Sequence, residues 1–163
     1  MKPIFKDGYQ PIEDYGTLFL VECPQCEGCA RVEKYVPGKE VPSMKKSKKT
    51  KPPKNYRWHY RLICVKCGYN KTEYFNSQIS GIPTDWFFRR PLWLQIPCCG
   101  EVLWAYNAPH LAFLKSYVQA ELREDGIATR TVATRLPTWL KSAKNRAEIL
   151  HGIEKLEAKL QLA

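Results

Sequence analysis

Cysteines are the residues of this 163-residue chain whose type and spacing best fit a chemical role. Four of the seven form two Cys-x-x-Cys pairs, in the segments CPQC and CVKC, and each pair follows a stretch with β-strand character. Tetrahedral zinc takes four thiolates at about 2.3 Å, and one Cys-x-x-Cys turn brings two of them to the same side of the ion. The sequence therefore predicts a Zn2+ site between two facing turns. Its four ligands are Cys23, Cys26, Cys64 and Cys67.

The spacing of these pairs leaves two alternatives open. Between Cys26 and Cys64 lie 37 residues, against about 15–20 in the compact four-cysteine pattern. A lysine-rich insertion accounts for the surplus. Cys29 repeats the two-residue gap after Cys26, so Cys26 and Cys29 form a competing first pair. The other alternative is a set of reduced, buried cysteines without a metal.

The segments CPQC and CVKCG, each after β-patterned sequence, resemble the zinc ribbons of the transcription-factor-B type. The stretch PLWLQIPCCGEVLWAYN and the later LPTWLKSAKNR are similar to parts of bacterial proteins that contain such a ribbon. The ribbon resemblance covers about residues 17–76 and implies zinc-ligand roles for the same four cysteines. One departure concerns the first turn, where Glu27 stands before Gly28 although the family has Gly directly after the second Cys. Such ribbons contact DNA, RNA and protein alike, so the resemblance leaves the partner open.

Three cysteines remain outside the two pairs. We expect Cys29, Cys98 and Cys99 to pack as small apolar side chains, as free cysteines commonly do. The alternative is a second metal site made by Cys98, Cys99 and His110, with Cys29 as a further ligand.

The net charge of +10 is concentrated in one segment. Residues 39–54 hold seven lysines and one glutamate, so the other 147 residues carry only +4 between them. Proline-rich composition and self-repulsion predict a flexible, solvated loop over residues 37–55. Such a loop can bind phosphates, with an affinity that falls steeply with salt. A solvated insertion that binds nothing in particular is the alternative.

The hydrophobic patterns predict an α+β protein. Expected strands cover residues 17–22, 30–36, 56–63, 69–75, 92–96 and 102–106, with residues 1–14 irregular and a turn at 97–100. A helix should begin after the N-cap Asn107 and run to about Asp125, where Gly126 ends it. From Pro137 the tail should be helical in two pieces. The predicted architecture is a zinc-ribbon antiparallel sheet with extra strands, packed by two to three C-terminal helices.

We expect two parts that pack as one unit. Residues 1–76 form the ribbon with the lysine-rich insertion, and residues 77–163 form a β-hairpin and the helical part. In the strand 56–63 the pattern alternates, so Arg57 and Arg61 lie on the opposite face from the neighbouring rings. Most rings should form a core rather than a stacking platform for nucleic acid. These rings are Tyr56, Trp58, Tyr60, Trp86, Phe87, Phe88, Trp93 and Trp104.

The motifs argue against an enzyme. The sequence has no Gly-rich phosphate loop, no G-x-S-x-G and no H-E-x-x-H, which would mark common catalytic sites. Four cysteine ligands would leave zinc no open position for a substrate. A membrane helix needs about 20 consecutive apolar residues, and the sequence has no such run. The first residues do not resemble a signal peptide. We therefore expect a cytoplasmic protein whose cysteines stay reduced.

The expected function is non-catalytic binding of a macromolecule by a zinc-containing scaffold. Nucleic acid is the first candidate, bound through the lysine-rich loop and neighbouring arginines. The residues expected to bind it are Lys45, Lys46, Lys48, Lys49, Lys51, Lys54, Arg57 and Arg61. The alternative is an inhibitor or immunity protein that neutralises a bacterial toxin or enzyme, with the basic loop against an acidic site.

Overall fold

The structure is a computed structural model that describes residues 3–35, 59–74, 82–124 and 130–163. Its strands in these ranges are β1 (Ile4–Lys6), β2 (Leu18–Glu22), β3 (Cys29–Tyr35), β4 (His59–Ile63), β5 (Asn70–Tyr74), β6 (Leu94–Cys98), β7 (Glu101–Ala105) and β8 (Leu122–Glu124). The α-helices are α1 (Ala108–Gln119), α2 (Val132–Arg135), α3 (Thr138–Lys141) and α4 (Arg146–Leu160). The α+β class predicted from the sequence is confirmed.

Strands β2, β3, β4 and β5 form one antiparallel sheet in chain order. Phe19 pairs with Val32, and Val32 pairs with Leu62, so these three side chains share the inner face, where all are buried. The opposite face is more exposed and carries Arg31 and Arg61. The alternation predicted for β4 is therefore confirmed for its described residues, while residues 56–58 lie outside them.

The second hairpin, β6 and β7, turns over Cys99 and Gly100. These two residues have φ angles of 54° and 77°, the left-handed values that a two-residue type I′ hairpin turn requires. Pro97 and Cys98 still belong to β6, so the predicted turn at 97–100 was two residues too long. The two-stranded sheet tolerates Pro97 because a proline without an N–H is compatible with an edge strand.

Helix α1 begins as the sequence predicts but ends earlier. Asn107 is the N-cap, and its Oδ1 accepts a hydrogen bond from the N–H of His110 at 3.0 Å. The helix stops at Gln119 rather than near Asp125, and β8 follows. The predicted helix end is therefore wrong, and so is the prediction that residues 1–14 are irregular throughout.

Pairing with the N-terminal segment explains this difference. Strand β8 runs parallel to β1, with Ile4 opposite Leu122. Phe5 of β1 is buried and packs edge-on against the rings of Phe113 and Tyr117 on α1. Burial of an aromatic ring contributes about 1.5–3 kcal/mol, which exceeds the small helix propensity of the few residues that leave the helix.

Helices α1 and α4 cover the β6–β7 hairpin. Most of the side chains that they bury are aliphatic, and five of these are at most 2 % exposed: Leu111, Leu114, Ile149, Ile153 and Leu156. The helical tail is in two pieces, α3 and α4, as predicted. Within the described ranges, no helix is both long and apolar enough to cross a membrane.

Hydrogen bonds join the four-stranded sheet to the β6–β7 hairpin. The N–H of Leu20 in β2 donates to the carbonyl of Tyr106 at 2.9 Å, and the carbonyl of Leu20 accepts from the N–H of Trp93 at 2.9 Å. Asn107 donates through Nδ2 to the carbonyls of Tyr15 and Leu18, both at 2.7 Å. The helix cap is therefore also a connection between the two parts.

Several of the predicted core rings lie between the two parts. Trp86 and Phe87 are each 5 % exposed, which confirms the core prediction for them. Trp86 donates through Nε1 to the hydroxyl of Tyr106 at 3.0 Å, and Phe87 stacks on Tyr60 with ring centroids 3.4 Å apart. Tyr60 is thus directed to the core side of the sheet and away from Arg61.

Candidate metal centre

Two turns of the same construction present the paired cysteines. In the first, the N–H of Glu27 donates to the carbonyl of Cys23 at 3.0 Å; in the second, the N–H of Gly68 donates to the carbonyl of Cys64 at 2.9 Å. Glu27 and Gly68 both adopt left-handed backbone, with φ angles of 58° and 78°. Glu27 therefore occupies the position that Gly68 holds in the second turn. The two turns therefore have the same register, and they differ in the residue that follows the second cysteine.

The four sulfur atoms come together between these turns. The Sγ atoms of Cys23 and Cys67 are 3.6 Å apart, and those of Cys26 and Cys64 are 3.7 Å apart. All four lie within 4.8 Å of one another. A tetrahedron with metal–sulfur bonds of about 2.3 Å has edges of about 3.8 Å. The group could hold a metal ion, and its geometry is that of a zinc site.

The four sulfurs of this group lie at the edge of the core, and the remaining cysteines lie outside the group. Cys23 and Cys64 are buried and Cys26 is half-buried, so the site lies at the edge of the core and not in solvent. Cys29, the competing partner of Cys26, is outside the group. All seven cysteines fall in the described ranges and all are free thiols there.

The local electrostatics divide the protons unequally among the sulfurs. Burial raises the pKa of Cys23, but hydrogen bonds from the backbone N–H groups of Cys26 and Gln25 and from the thiols of Cys67 and Cys26 together lower it to about 7. The N–H of Gln25 lies 3.4 Å from the Sγ of Cys23. A backbone hydrogen bond from Tyr69 lowers the pKa of Cys67, but burial and the neighbouring sulfurs raise it to about 12. A divalent cation bound between the four sulfurs would favour their thiolate forms.

Gly28 leaves space for a lysine beside the sulfurs. A Cβ atom at this position would lie 3.0 Å from Cδ and 3.7 Å from Nζ of Lys66, and 3.3 Å from the Sγ of Cys26. Four thiolates and one divalent cation carry a net charge of −2, so an adjacent ammonium group stabilises the assembly. The two turns could thus contribute a counter-charge as well as ligands to a bound ion.

A second group of possible ligands lies at the β6–β7 turn. The Sγ atoms of Cys98 and Cys99 are 3.7 Å apart, and both lie within 4.8 Å of a carboxylate oxygen of Glu148. This group could also hold a metal ion. Burial raises the pKa of Cys98 to about 12, with the Cys99 sulfur adding to the effect. The alternative site considered from the sequence had the wrong third ligand, because Glu148 and not His110 or Cys29 completes the group.

His110 is instead a buried part of α1. It is 3 % exposed, and its Nδ1 accepts a hydrogen bond from the N–H of Tyr106 at 3.2 Å. Burial lowers its pKa to about 4, so the imidazole is neutral at pH 7. Because Nδ1 accepts this bond, it carries no proton, and the neutral ring helps to hold the start of α1 against Tyr106.

Of the residues expected to bind a partner, the structure describes Arg61 only. Residues 36–58 lie outside the described ranges, and with them the other residues of that set, Lys45, Lys46, Lys48, Lys49, Lys51, Lys54 and Arg57. Arg61 donates through one terminal nitrogen to Glu33 at 2.6 Å, and its guanidinium carbon lies 5.0 Å from the ring centroid of Tyr35. Arg61 therefore connects Glu33 and Tyr35 of β3 to β4 on the outer face of the sheet.

Sequence reasoning missed a row of rings on that face. Tyr35 pairs with His59, and His59 pairs with Tyr74, so the three side chains lie side by side on the face that carries Arg61. The rings of His59 and Tyr74 are 4.1 Å apart between centroids, and Tyr74 is 63 % exposed. The alternation within β3 and β5 places Tyr35 and Tyr74 on this face, but the sequence does not show that β3 and β5 flank β4 in this register.

Comparisons with known proteins assign no family. No protein-family model matches the chain, and no curated protein and no solved structure is significantly similar to it.

Proposed function

We propose that this is a non-catalytic zinc protein whose metal holds a scaffold for binding nucleic acid. The observation that carries the proposal is the set of four sulfurs at the spacing of a zinc tetrahedron. Cysteine thiolates select zinc or iron–sulfur groups over hard cations. A single ion surrounded by four sulfurs at tetrahedral spacing is the common arrangement of structural zinc.

A structural role follows from the ligand count. Four protein thiolates fill the coordination of zinc and leave no position for water or substrate. The two turns belong to different hairpins, the first between β2 and β3 and the second between β4 and β5. Both turns lie at the same end of the four-stranded sheet, so the ion links its two hairpins there, as expected for a scaffold in a reducing cytoplasm.

Charge and chain path support nucleic acid as the partner. In the sequence the lysine-rich segment lies between Tyr35, the last residue of β3, and His59, the first residue of β4, and these two residues are direct register partners. The proposal places phosphate contacts on Lys45, Lys46, Lys48, Lys49, Lys51 and Lys54. Lysine contacts of this kind give an affinity that does not depend on sequence and falls with salt.

The exposed rings beside this segment support single strands in particular. Unpaired bases stack on exposed aromatic rings, which double helices cannot do without opening. Tyr74 offers such a ring at 63 % exposure. Arg61 lies over the ring of Tyr35 and is held by Glu33, so it positions that ring in addition to supplying a charge.

Fluorescence anisotropy with labelled single-stranded and double-stranded oligonucleotides tests the proposal. The wild-type protein should bind single strands, with a logarithmic affinity that falls linearly with the logarithm of salt concentration. Replacing five lysines by glutamine, Lys45, Lys46, Lys48, Lys49 and Lys51, should reduce the slope by as much as about 3.5, which is about 0.7 for each lysine. Absence of binding to any oligonucleotide at low salt contradicts the proposal.

A tyrosine variant separates stacking from charge. Tyr74→Ala should weaken single-strand binding about tenfold and leave the salt slope unchanged. Tyr9→Ala is the matched control, because Tyr9 is 59 % exposed and lies outside the four-stranded sheet. A nuclease-insensitive complex with one stoichiometric protein, together with no oligonucleotide binding, would favour the inhibitor or immunity protein instead.

A further inference from the structure

The turn between β6 and β7 has a cysteine where another residue would be more stable. A type I′ turn requires left-handed backbone at both central residues, which favours Asn-Gly. Here the pair is Cys99-Gly100, with φ angles of 54° and 77°. A left-handed cysteine costs free energy that asparagine largely avoids. Strain at a single non-glycine residue of this kind calls for a functional explanation.

The strained turn brings two adjacent sulfurs together. Neighbouring side chains of an extended strand point to opposite faces, but the left-handed backbone of Cys99 places its Sγ 3.7 Å from that of Cys98. The same separation joins Cys26 and Cys64 across the four-sulfur group. It is also close to the edge of about 3.8 Å in a zinc–sulfur tetrahedron.

Helix α4 supplies a third ligand from the side. Glu148 lies in its first turn, and its Oε1 accepts a hydrogen bond from the N–H of Cys99 at 2.7 Å. This bond fixes the carboxylate beside the sulfurs, as groups behind a metal ligand commonly do. The other carboxylate oxygen can then bind a cation.

A glycine one turn further along α4 makes the approach possible. A Cβ atom at Gly152 would lie 3.0 Å from Leu103, 3.3 Å from Ile96 and 3.5 Å from the Sγ of Cys98. Gly152 and Glu148 are four residues apart and therefore lie on one helix face. The same face of α4 therefore packs closely against Cys98 at Gly152 and carries the carboxylate of Glu148.

We propose that Cys98, Cys99 and Glu148 form a second metal site, which holds a thiophilic divalent cation and leaves one coordination position open. Two thiolates and one carboxylate suit zinc or cobalt better than the hard cations magnesium and calcium. Three protein ligands with a water in the fourth position are typical of zinc sites that exchange their ligands. The site is independent of the lysine-rich segment and of the nucleic-acid proposal.

Cobalt added to the zinc-loaded full-length chain tests this site. Co2+ binds such ligands more weakly than Zn2+, so it leaves the four-cysteine site in its zinc form. The wild-type protein, kept reduced without a thiol reagent, should take about one further Co2+ and develop thiolate-to-cobalt absorption. Imidazole should shift this spectrum by entering the open position.

Three variants decide the outcome. Cys99→Asn suits the left-handed position, so its fold should persist while the cobalt spectrum is lost. Glu148→Gln should weaken cobalt binding at least tenfold. Cys29→Ser, the control, removes a free cysteine of neither group and should bind cobalt as the wild type does. No cobalt spectrum in the wild type overturns the site, as does an unchanged one in Cys99→Asn. A spectrum that imidazole does not change overturns the open position.

Discussion

The four-cysteine site and the second cluster, which consists of Cys98, Cys99 and Glu148, use thiols in different surroundings. The first takes its sulfurs from turns 38 or more residues apart along the chain. It belongs to a sheet whose inner face lies in an apolar core of its own and whose outer face is mostly half-buried or exposed. The second lies against α4, over a core of largely aliphatic side chains that also contains Phe5 and Tyr117. Both parts therefore have a buried apolar core, and the four-stranded sheet has in addition a group of four cysteines that could hold a metal ion between its two hairpins.

This difference shows what each ion can contribute. A metal that joins two turns far apart in the sequence supplies folding free energy, because the unfolded chain has no preformed site. A metal at the second cluster adds to a part that already folds around its own core. We expect the first ion to be structural and the second to be exchangeable.

The largest effect should come from removing one sulfur at each place. Cys64 is 1 % exposed and Cys98 is 5 % exposed, so alanine at either position deletes a buried sulfur. Cys64→Ala should lower the free energy of unfolding by several kcal/mol, because structural zinc contributes about 10–16 kcal/mol in small zinc domains. Cys98→Ala should lower it by only about 1 kcal/mol. Urea unfolding followed by tryptophan fluorescence measures both, and equal losses would contradict the comparison.

Acid should weaken the helical part through His110. In the unfolded chain its pKa is about 6.5, whereas burial lowers the folded value to about 4. The unfolded chain therefore binds the proton first, so the contribution of neutral His110 is complete above pH 6.5 and is lost as the pH falls towards 4. The loss amounts to roughly 3 kcal/mol over this range.

The variant His110→Gln separates this effect from protonation of the zinc ligands. Its amide oxygen can still accept from the N–H of Tyr106, but it does not titrate. Unfolding measured between pH 7 and pH 4 should show a shallower decline in the variant, and the remaining slope should report the thiolates. A variant as sensitive to acid as the wild type would show that His110 is not the cause.

The smallest effects concern the two cysteine turns themselves. Nothing lies within 4 Å of a Cβ atom at Gly68, so Gly68→Ala tests the left-handed backbone alone. It should cost about 1 kcal/mol. Glu27→Gly, at the matching position, should stabilise the protein by up to about 1 kcal/mol. Thermal unfolding with zinc retained should give opposite signs; the same sign in both would show that the turns are not equivalent.

The sequence predicted what depends on local pattern. Alternation located β4, and the N-cap preference of Asn107 located the start of α1. The Cys-x-x-Cys spacing identified the four sulfurs, because each turn orients its own pair before the fold completes the group. These signals act within a few residues and need no knowledge of distant neighbours.

Contacts between distant segments could not be predicted. The parallel pairing of β1 with β8 joins residues more than 100 positions apart and overrides helical periodicity. Glu148 lies 49 residues from Cys99, and nothing in its own surroundings distinguishes it from the other acidic residues of the chain. The pair Cys98-Cys99 before Gly100 was a usable signal for a tight turn, but only the packing of α4 shows which acid approaches it.

Metal analysis of the purified protein, combined with native mass spectrometry, tests the central claim most directly. The account predicts about one zinc per chain after dialysis, with any second ion removed by a weak chelator and the first removed only by a strong one. Loss of the first ion should unfold the four-stranded sheet, seen as loss of near-ultraviolet circular dichroism. A metal content near zero in a protein that remains folded would contradict the account.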